Sequence, residues 1–248
     1  MADADTYRAL AYVPPRRDSE RLPLLIVLHG AAKNENGVWD LANPRGEHAG
    51  LAPSLLATGT APRELSENFV VVAPFAEQSG TPGRQSFYEE PRSRVLRFVE
   101  WACSGGVPGA SVDRDRIFLF GFSDGATVGV ELMTTRRFAG AVVAAYGFTG
   151  ELPPRAKERL RGLPMWVFHA ADDVIFPVGC SDRLVASLQD IGGGRAGVEG
   201  GAVRYTRYTH DQEGFTGPVR GHSTGITASR TPEIYTWMLG IGGAQEVA

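Results

Sequence analysis

Ile117-Phe118-Leu119-Phe120-Gly121-Phe122-Ser123-Asp124-Gly125-Ala126 is an apolar run that ends in Gly-x-Ser-x-Gly and passes into small residues opening a helical pattern. A strand that turns directly into a helix forces the corner residue into a strained conformation and pushes its side chain into the open. The corner here is Ser123. Cβ atoms two residues to either side would collide with neighbouring chain, and Gly121 and Gly125 stand at those places. Gly-x-Ser-x-Gly alone arises by chance in a chain with 31 glycines; its position between a hydrophobic strand and a helix is what makes Ser123 a candidate nucleophile.

Outward from this stretch, strand and helix patterns alternate. Tyr7 to Val13 reads as an edge strand closed by Pro14-Pro15 and the charged turn Arg16 to Arg21. Leu24 to Leu28 is a continuous apolar run, the pattern of a strand buried on both faces, and it leads into His29-Gly30-Ala31-Ala32. Phe69 to Pro74, Phe138 to Ala145, Met165 to Phe168 and Val203 to Tyr208 supply further strands. Helical patterns run over Arg92 to Cys103, from Ser123 onward, over Pro154 to Arg161, Cys180 to Ile191 and Pro232 to Leu239. This alternation predicts an α/β fold with a mostly parallel central sheet covered by helices on both faces. At 248 residues the chain is expected to form a single domain, 1–248. Two polar, turn-rich segments, 33–66 and 209–221, are expected to line or cover a pocket, with Ala49 to Leu56 a short helix and His48 at the surface. Residues 78–85 read as a loop, 192–201 as a glycine-rich loop, and the charged Asp113 to Arg116 as turn and surface pairs rather than catalytic groups.

A formal net charge of −3 without blocks of like charge argues against nucleic acid or anionic membrane as a partner. The opening Met1-Ala2-Asp3-Ala4-Asp5 is acidic and leads into no apolar h-region, and no stretch approaches the roughly 18 apolar residues of a membrane span, so a soluble, cytoplasmic protein is expected. Cys103 and Cys180 are far apart, without metal-ligand or redox spacing, and read as buried free thiols. No His-Glu-x-x-His, Cys/His cluster or Gly-x-Gly-x-x-Gly implies a metal or organic cofactor.

Ser123, the Asp172-Asp173 pair and His222 follow predicted strands in the order nucleophile, acid, histidine. A serine hydroxyl needs a base near neutrality, and an imidazole needs a carboxylate to fix its tautomer. His210 follows the same last strand, but stands in the acidic Thr209-His210-Asp211-Gln212-Glu213; His222 is preceded by Gly221 and leads into the closing helix.

Several stretches resemble the α/β-hydrolase esterases of the polyhydroxybutyrate-depolymerase and feruloyl-esterase-like group, which includes small bacterial carboxylesterases. They are Leu28-His29-Gly30, Asp113-x-x-Arg116-Ile117 leading into Gly121-Phe122-Ser123-Asp124-Gly125-Ala126, Phe168-His169-Ala170 through Asp173 to Pro177, and Gly221-His222 before Pro232 to Trp237. The resemblance spans residues 7 to 240 and implies an α/β-hydrolase fold. In that group the acid stands three residues after a His-Gly step and four before a proline, which implies Asp173 rather than Asp172. The Gly-His step before a final helix implies His222 rather than His210. Departures are Ala170 for the usual glycine, Phe176 for valine, and a longer loop from His210 to Arg220. The expected function is cleavage of a small-molecule carboxylic ester through an acyl-enzyme, with Ser123 the nucleophile, His222 the base and Asp173 its orienting acid. The backbone N–H groups of Ala31 and Asp124 are expected to form the oxyanion hole. A peptidase, a thioesterase, or a biosynthetic acyltransferase or cyclase would use the same three side chains; a non-catalytic binding protein on this fold would need none of them.

Overall fold

The apolar run before Ser123 forms the middle strand of a seven-stranded sheet. The computed structural model describes residues 7–15, 21–77, 84–192 and 202–242. Residues 16–20, 78–83 and 193–201, read above as most of the charged turn, most of a loop and most of a glycine-rich loop, lie outside the described residues.

The strands are β1 (Ala9–Tyr12), β2 (Leu22–Leu28), β3 (Val70–Pro74), β4 (Val112–Phe122), β5 (Gly140–Ala144), β6 (Met165–Ala170) and β7 (Val203–Tyr208), in the spatial order β1-β3-β2-β4-β5-β6-β7. β1 pairs antiparallel with β3 at one edge, and all other pairings are parallel. The helices are α1 (Ala52–Thr58), α2 (Arg63–Ser66), α3 (Arg92–Trp101), α4 (Asp124–Met133), α5 (Pro154–Leu160), α6 (Gly179–Gly192), α7 (Thr224–Ser229) and α8 (Pro232–Leu239).

Why β2 is a continuous apolar run follows from its two covered faces. Leu24, Ile26 and Leu28 join one core cluster with side chains of α3, α4, α5 and α6, while Leu25 and Val27 join the other with α1, α2, α7 and α8. Burying one such side chain is worth about 1.5–3 kcal/mol, so the sheet is anchored on both sides of the strands that carry the loops of interest.

The chain crosses from β3 on one side of β2 to β4 on the other, which makes the gap between β2 and β4 the point where strand order reverses. Ligand sites in open α/β sheets lie beyond the strand ends at that point. Several element bounds shift by a few residues, and two expectations differ further. Asp113 to Arg116 lie inside β4 rather than in a turn, while the expected charge pairs are present, Arg116 on Asp113 at 2.7 Å and Arg114 on Glu100. The passage 223–230, read only as a lead into the closing helix, folds as α7, whose Ile226 and Ala228 are buried against the sheet.

Candidate active site

Ser123 sits at the β4–α4 corner with φ 58° and ψ −121°, a conformation that costs a non-glycine residue about 1–3 kcal/mol. The elbow is held by the Ser123 N–H donating to the Ala144 carbonyl at 2.9 Å. A Cβ on Gly121 would lie 2.5 Å from the Gly125 carbonyl oxygen, and one on Gly125 only 2.2 Å from that of Leu28. The corner therefore closes only with hydrogen at both places, which lets the start of α4 rest on the end of β2.

His222 comes from the loop between β7 and α7. Its Nδ1 lies 2.8 Å from Asp173 Oδ2 and its Nε2 lies 2.9 Å from Ser123 Oγ. A carboxylate can only accept, so the network assigns the proton to Nδ1 and leaves Nε2 to accept from the serine hydroxyl. Phe122 lies beside the imidazole at 5.2 Å between centroids and Phe176 meets it edge-on at 5.4 Å, so the ring sits between apolar walls. Asp173 is buried, yet its Oδ1 accepts the N–H groups of Ile175 at 2.8 Å and Phe176 at 2.9 Å. Burial pushes its pKa up, but the hydrogen bonds from His169, His222 and the backbone outweigh this and hold it at about 2.

Asp172 and His210 take other positions. Asp172 Oδ1 accepts the Asp211 N–H at 2.9 Å, and His210, its side chain 78% exposed, approaches Asp172 Oδ2 at 3.5 Å. Neither touches Ser123.

His169 is a further member of the network, for which the sequence motif implies no role of its own. It is fully buried, with Nε2 3.2 Å from Asp173 Oδ2 and 3.0 Å from the Phe176 carbonyl, and Nδ1 2.7 Å from Ser181 Oγ. Two acceptors at Nε2 place the proton there and make Ser181 the donor to Nδ1. Its place four residues before Asp173, at the end of an apolar strand, was the available signal.

The loop after β2 approaches Ser123 closely: a Cβ on Gly30 would lie 2.8 Å from that of Ser123. The N–H groups of Ala31 and Asp124 donate to no acceptor among the described residues. The peptide that carries the Ala31 N–H is fixed from behind. His29 Nδ1 donates to the Gly30 carbonyl at 2.7 Å, while its Nε2 accepts the Ala76 N–H at 3.1 Å. This is a neutral imidazole; burial drives its pKa down to about 4 although the bond to Gly30 favours the proton.

His48 corrects the expectation of a surface side chain. It is 2% exposed and packs on His29 with ring centroids 4.8 Å apart. Burial first, then the nearby His29 and Arg84, holds its pKa well below the ordinary value. Segment 33–66 folds over the back of the loop after β2, and its polar composition carried no periodicity from which that could be inferred.

A cavity of about 500 Å³ opens beside the elbow. Its walls include Ser86, Tyr88, Glu89, Asp124, Phe148 and Phe176. Neither segment 33–66 nor segment 209–221 contributes to this lining. Among the described residues neither Glu89 nor Asp124 has an ion-pair partner, and no basic side chain lines the cavity. No helix among the described residues is long and apolar enough to cross a membrane. Cys103 and Cys180 are buried free thiols.

The family described as Phospholipase/Carboxylesterase matches residues 94–209, a stretch that holds Ser123 and Asp173 and stops short of His222. No curated protein matches the chain. Among solved structures, a thermostable esterase superposes with a TM-score of 0.62 at 23% identity over 96% of this chain, which spans only 59% of that protein. A Bacillus cereus carboxylesterase gives 0.57 at 16% identity, covering 94% of each chain. Acyl-protein thioesterase 2 of Zea mays gives 0.54 at 15% identity over 94% of this chain and 98% of its own. At these identities the likeness is one of fold. Together with the strand order, the elbow at the end of the middle strand and the loops gathered at the switch point, it identifies the chain as a protein of the α/β-hydrolase fold.

Proposed function

We propose that this chain is a serine hydrolase that cleaves a carboxylic ester through an acyl-enzyme. The observation that carries the reading is the continuous hydrogen-bonded line from Ser123 Oγ through His222 to Asp173, with both links under 3 Å. His222 Nε2 takes the serine proton as Oγ attacks the ester carbonyl, and the Asp173 carboxylate stabilises the imidazolium formed. The carbonyl oxygen becomes an oxyanion, which the N–H groups of Ala31 and Asp124 receive. His222 then returns the proton to the departing alcohol, and a water attacks the acyl-serine by the same sequence in reverse. The matched family description supports ester chemistry, and the resemblance to polyhydroxybutyrate depolymerases and feruloyl esterases belongs to the same proposal.

The cavity beside Asp124 supports a neutral substrate of modest size, since its aromatic walls favour apolar groups and its two carboxylates repel anions. A thioester would meet the same machinery, and the maize neighbour is named as a thioesterase; matched oxygen and sulfur esters separate the two by their kcat/KM. The test of the proposal is turnover of p-nitrophenyl butyrate by the parent protein and by Ser123→Ala. A drop in kcat on the order of 10⁴ to 10⁶ is expected with the fold intact; retained turnover in the variant would refute it.

A further inference from the structure

Two oxyanion donors on separate loops work only if the loops keep a fixed separation, because tenths of an ångström decide such hydrogen bonds. Ala31 follows β2 and Asp124 follows β4, with more than a third of the chain between them. Both are gripped by one short segment. Gln85 and Ala32 exchange backbone hydrogen bonds of 3.1 and 2.9 Å, an isolated antiparallel bridge. Gln85 Oε1 also accepts the Asn34 N–H at 3.2 Å. Arg84 Nη2 donates to the Ala31 carbonyl at 2.9 Å, with its guanidinium anchored on Glu47 at 2.6 Å. On the other side Ser86, which is buried, donates its hydroxyl to Asp124 Oδ2 at 2.5 Å. The Tyr88 N–H donates to Ser86 Oγ at 3.1 Å, which fixes the hydroxyl's rotor toward the carboxylate.

We propose that Arg84-Gln85-Ser86 is a positioning brace that sets the distance between the two oxyanion donors. It rests on the reading of Ala31 and Asp124 given above, and it acts through them: of the three residues only Ser86 reaches the cavity wall, and its hydroxyl is spent on Asp124. Arg84 holds the peptide that follows the Ala31 donor, Gln85 holds the backbone of Ala32 one residue on, and Ser86 holds the side chain of the residue whose N–H is the second donor. The Ser86 link is charge-assisted and short, so it resists the shift that a developing negative charge would impose on the Asp124 carboxylate. The brace leaves His222 and Asp173 alone; removing it weakens transition-state binding and spares proton transfer.

The test compares the parent with Ser86→Ala, Arg84→Met and Ser86→Thr. Three quantities are read: the thermal midpoint, kcat and KM for p-nitrophenyl butyrate, and the rate at which a fluorophosphonate modifies Ser123. The last puts a phosphonyl oxygen into the same hole and needs no turnover. Ser86→Ala and Arg84→Met are each expected to lower kcat and the phosphonylation rate by about 5- to 30-fold, less than deletion of a donor. KM and the shape of the pH profile should stay near the parent's, and Ser86→Thr, which keeps the hydroxyl, should recover most of the rate. Parent-like rates in both variants, or rates that fall only in step with the folded fraction, overturn the brace while leaving the proposed chemistry standing. A parent protein that takes no label at Ser123 overturns the proposed chemistry and the brace with it.

Discussion

Gly221 and Asp173 are in backbone contact: a Cβ on Gly221 would lie 2.4 Å from the Asp173 nitrogen and 2.4 Å from the Asp172 carbonyl. Gly221 also has φ +77°, where a side chain is strained. One glycine thus seats the loop that carries His222 against the turn that carries Asp173, helped by the Val174 N–H donating to the Arg220 carbonyl at 3.1 Å. Gly221→Ala should therefore separate the imidazole from its acid. The expected result is a loss of kcat of about 10²-fold or more with KM less affected, and a stability loss of about 1–3 kcal/mol by denaturant titration. Parent-like kcat would show that the contact does not set the geometry.

Within each candidate pair the proposed chemistry uses one residue. Asp173→Asn leaves the shape intact but puts an amide where His222 Nδ1 needs an acceptor, and should cost about 10³- to 10⁴-fold in kcat. Asp172→Asn touches only the Asp211 N–H and exposed His210, and should cost little. His222→Ala and His210→Ala, assayed on the same ester, should divide in the same way. A reversed ranking in either pair would move the role to the other residue.

Stability should fall on mild acidification. His29 is held at about 4, while a histidine in the unfolded chain titrates near 6.5, so across that window the unfolded state binds the extra proton. Stability then rises with pH between those values, and by pH 5 the His29 contribution alone is a loss on the order of 2 kcal/mol relative to neutrality. Buried His48, lowered in the same direction, adds to it. Asp173 acts lower down. Its depressed pKa stabilises the fold above the unfolded value near 3.8, and that contribution disappears as pH falls through about 2. Urea titrations at pH 7.5, 6 and 5 check the upper window; a stability that is flat or higher at pH 5 would contradict the buried neutral pair.

Charge in the cavity should select against anionic esters. p-Nitrophenyl butyrate and p-nitrophenyl hemisuccinate have similar bulk, but only the second brings a carboxylate toward Glu89 and Asp124. The neutral ester should be preferred in kcat/KM by about 10-fold or more at low salt. Added salt and Glu89→Gln should both narrow the gap. Equal rates would mean that the acyl group lies outside this cavity.

The fold was legible wherever period and burial agree. β2, β3 and the run before Ser123 are buried on both faces and read as unbroken apolar strings, and Pro232 marked the start of α8 to the residue. The corner at Ser123 was legible because a steric rule ties glycines two residues away to a strand-to-helix turn. What escaped was produced by chain segments meeting at long range. His48 stands in a polar segment whose burial depends on its folding against His29. Arg84, Gln85 and Ser86 look like ordinary loop residues because their partners, Ala31, Ala32 and Asp124, lie far away in sequence. α7 is only six residues long and rich in Thr, Gly and Ser, so no periodicity announced it.

The central claim is that Ser123 is the nucleophile, and its most direct test is covalent labelling of the folded parent protein with a fluorophosphonate followed by peptide mass mapping. The account predicts one adduct per chain, on the peptide that contains Ser123, formed more slowly in His222→Ala and absent in Ser123→Ala. An adduct on any other serine, or a chain that stays unlabelled while hydrolysing an ester, would contradict it.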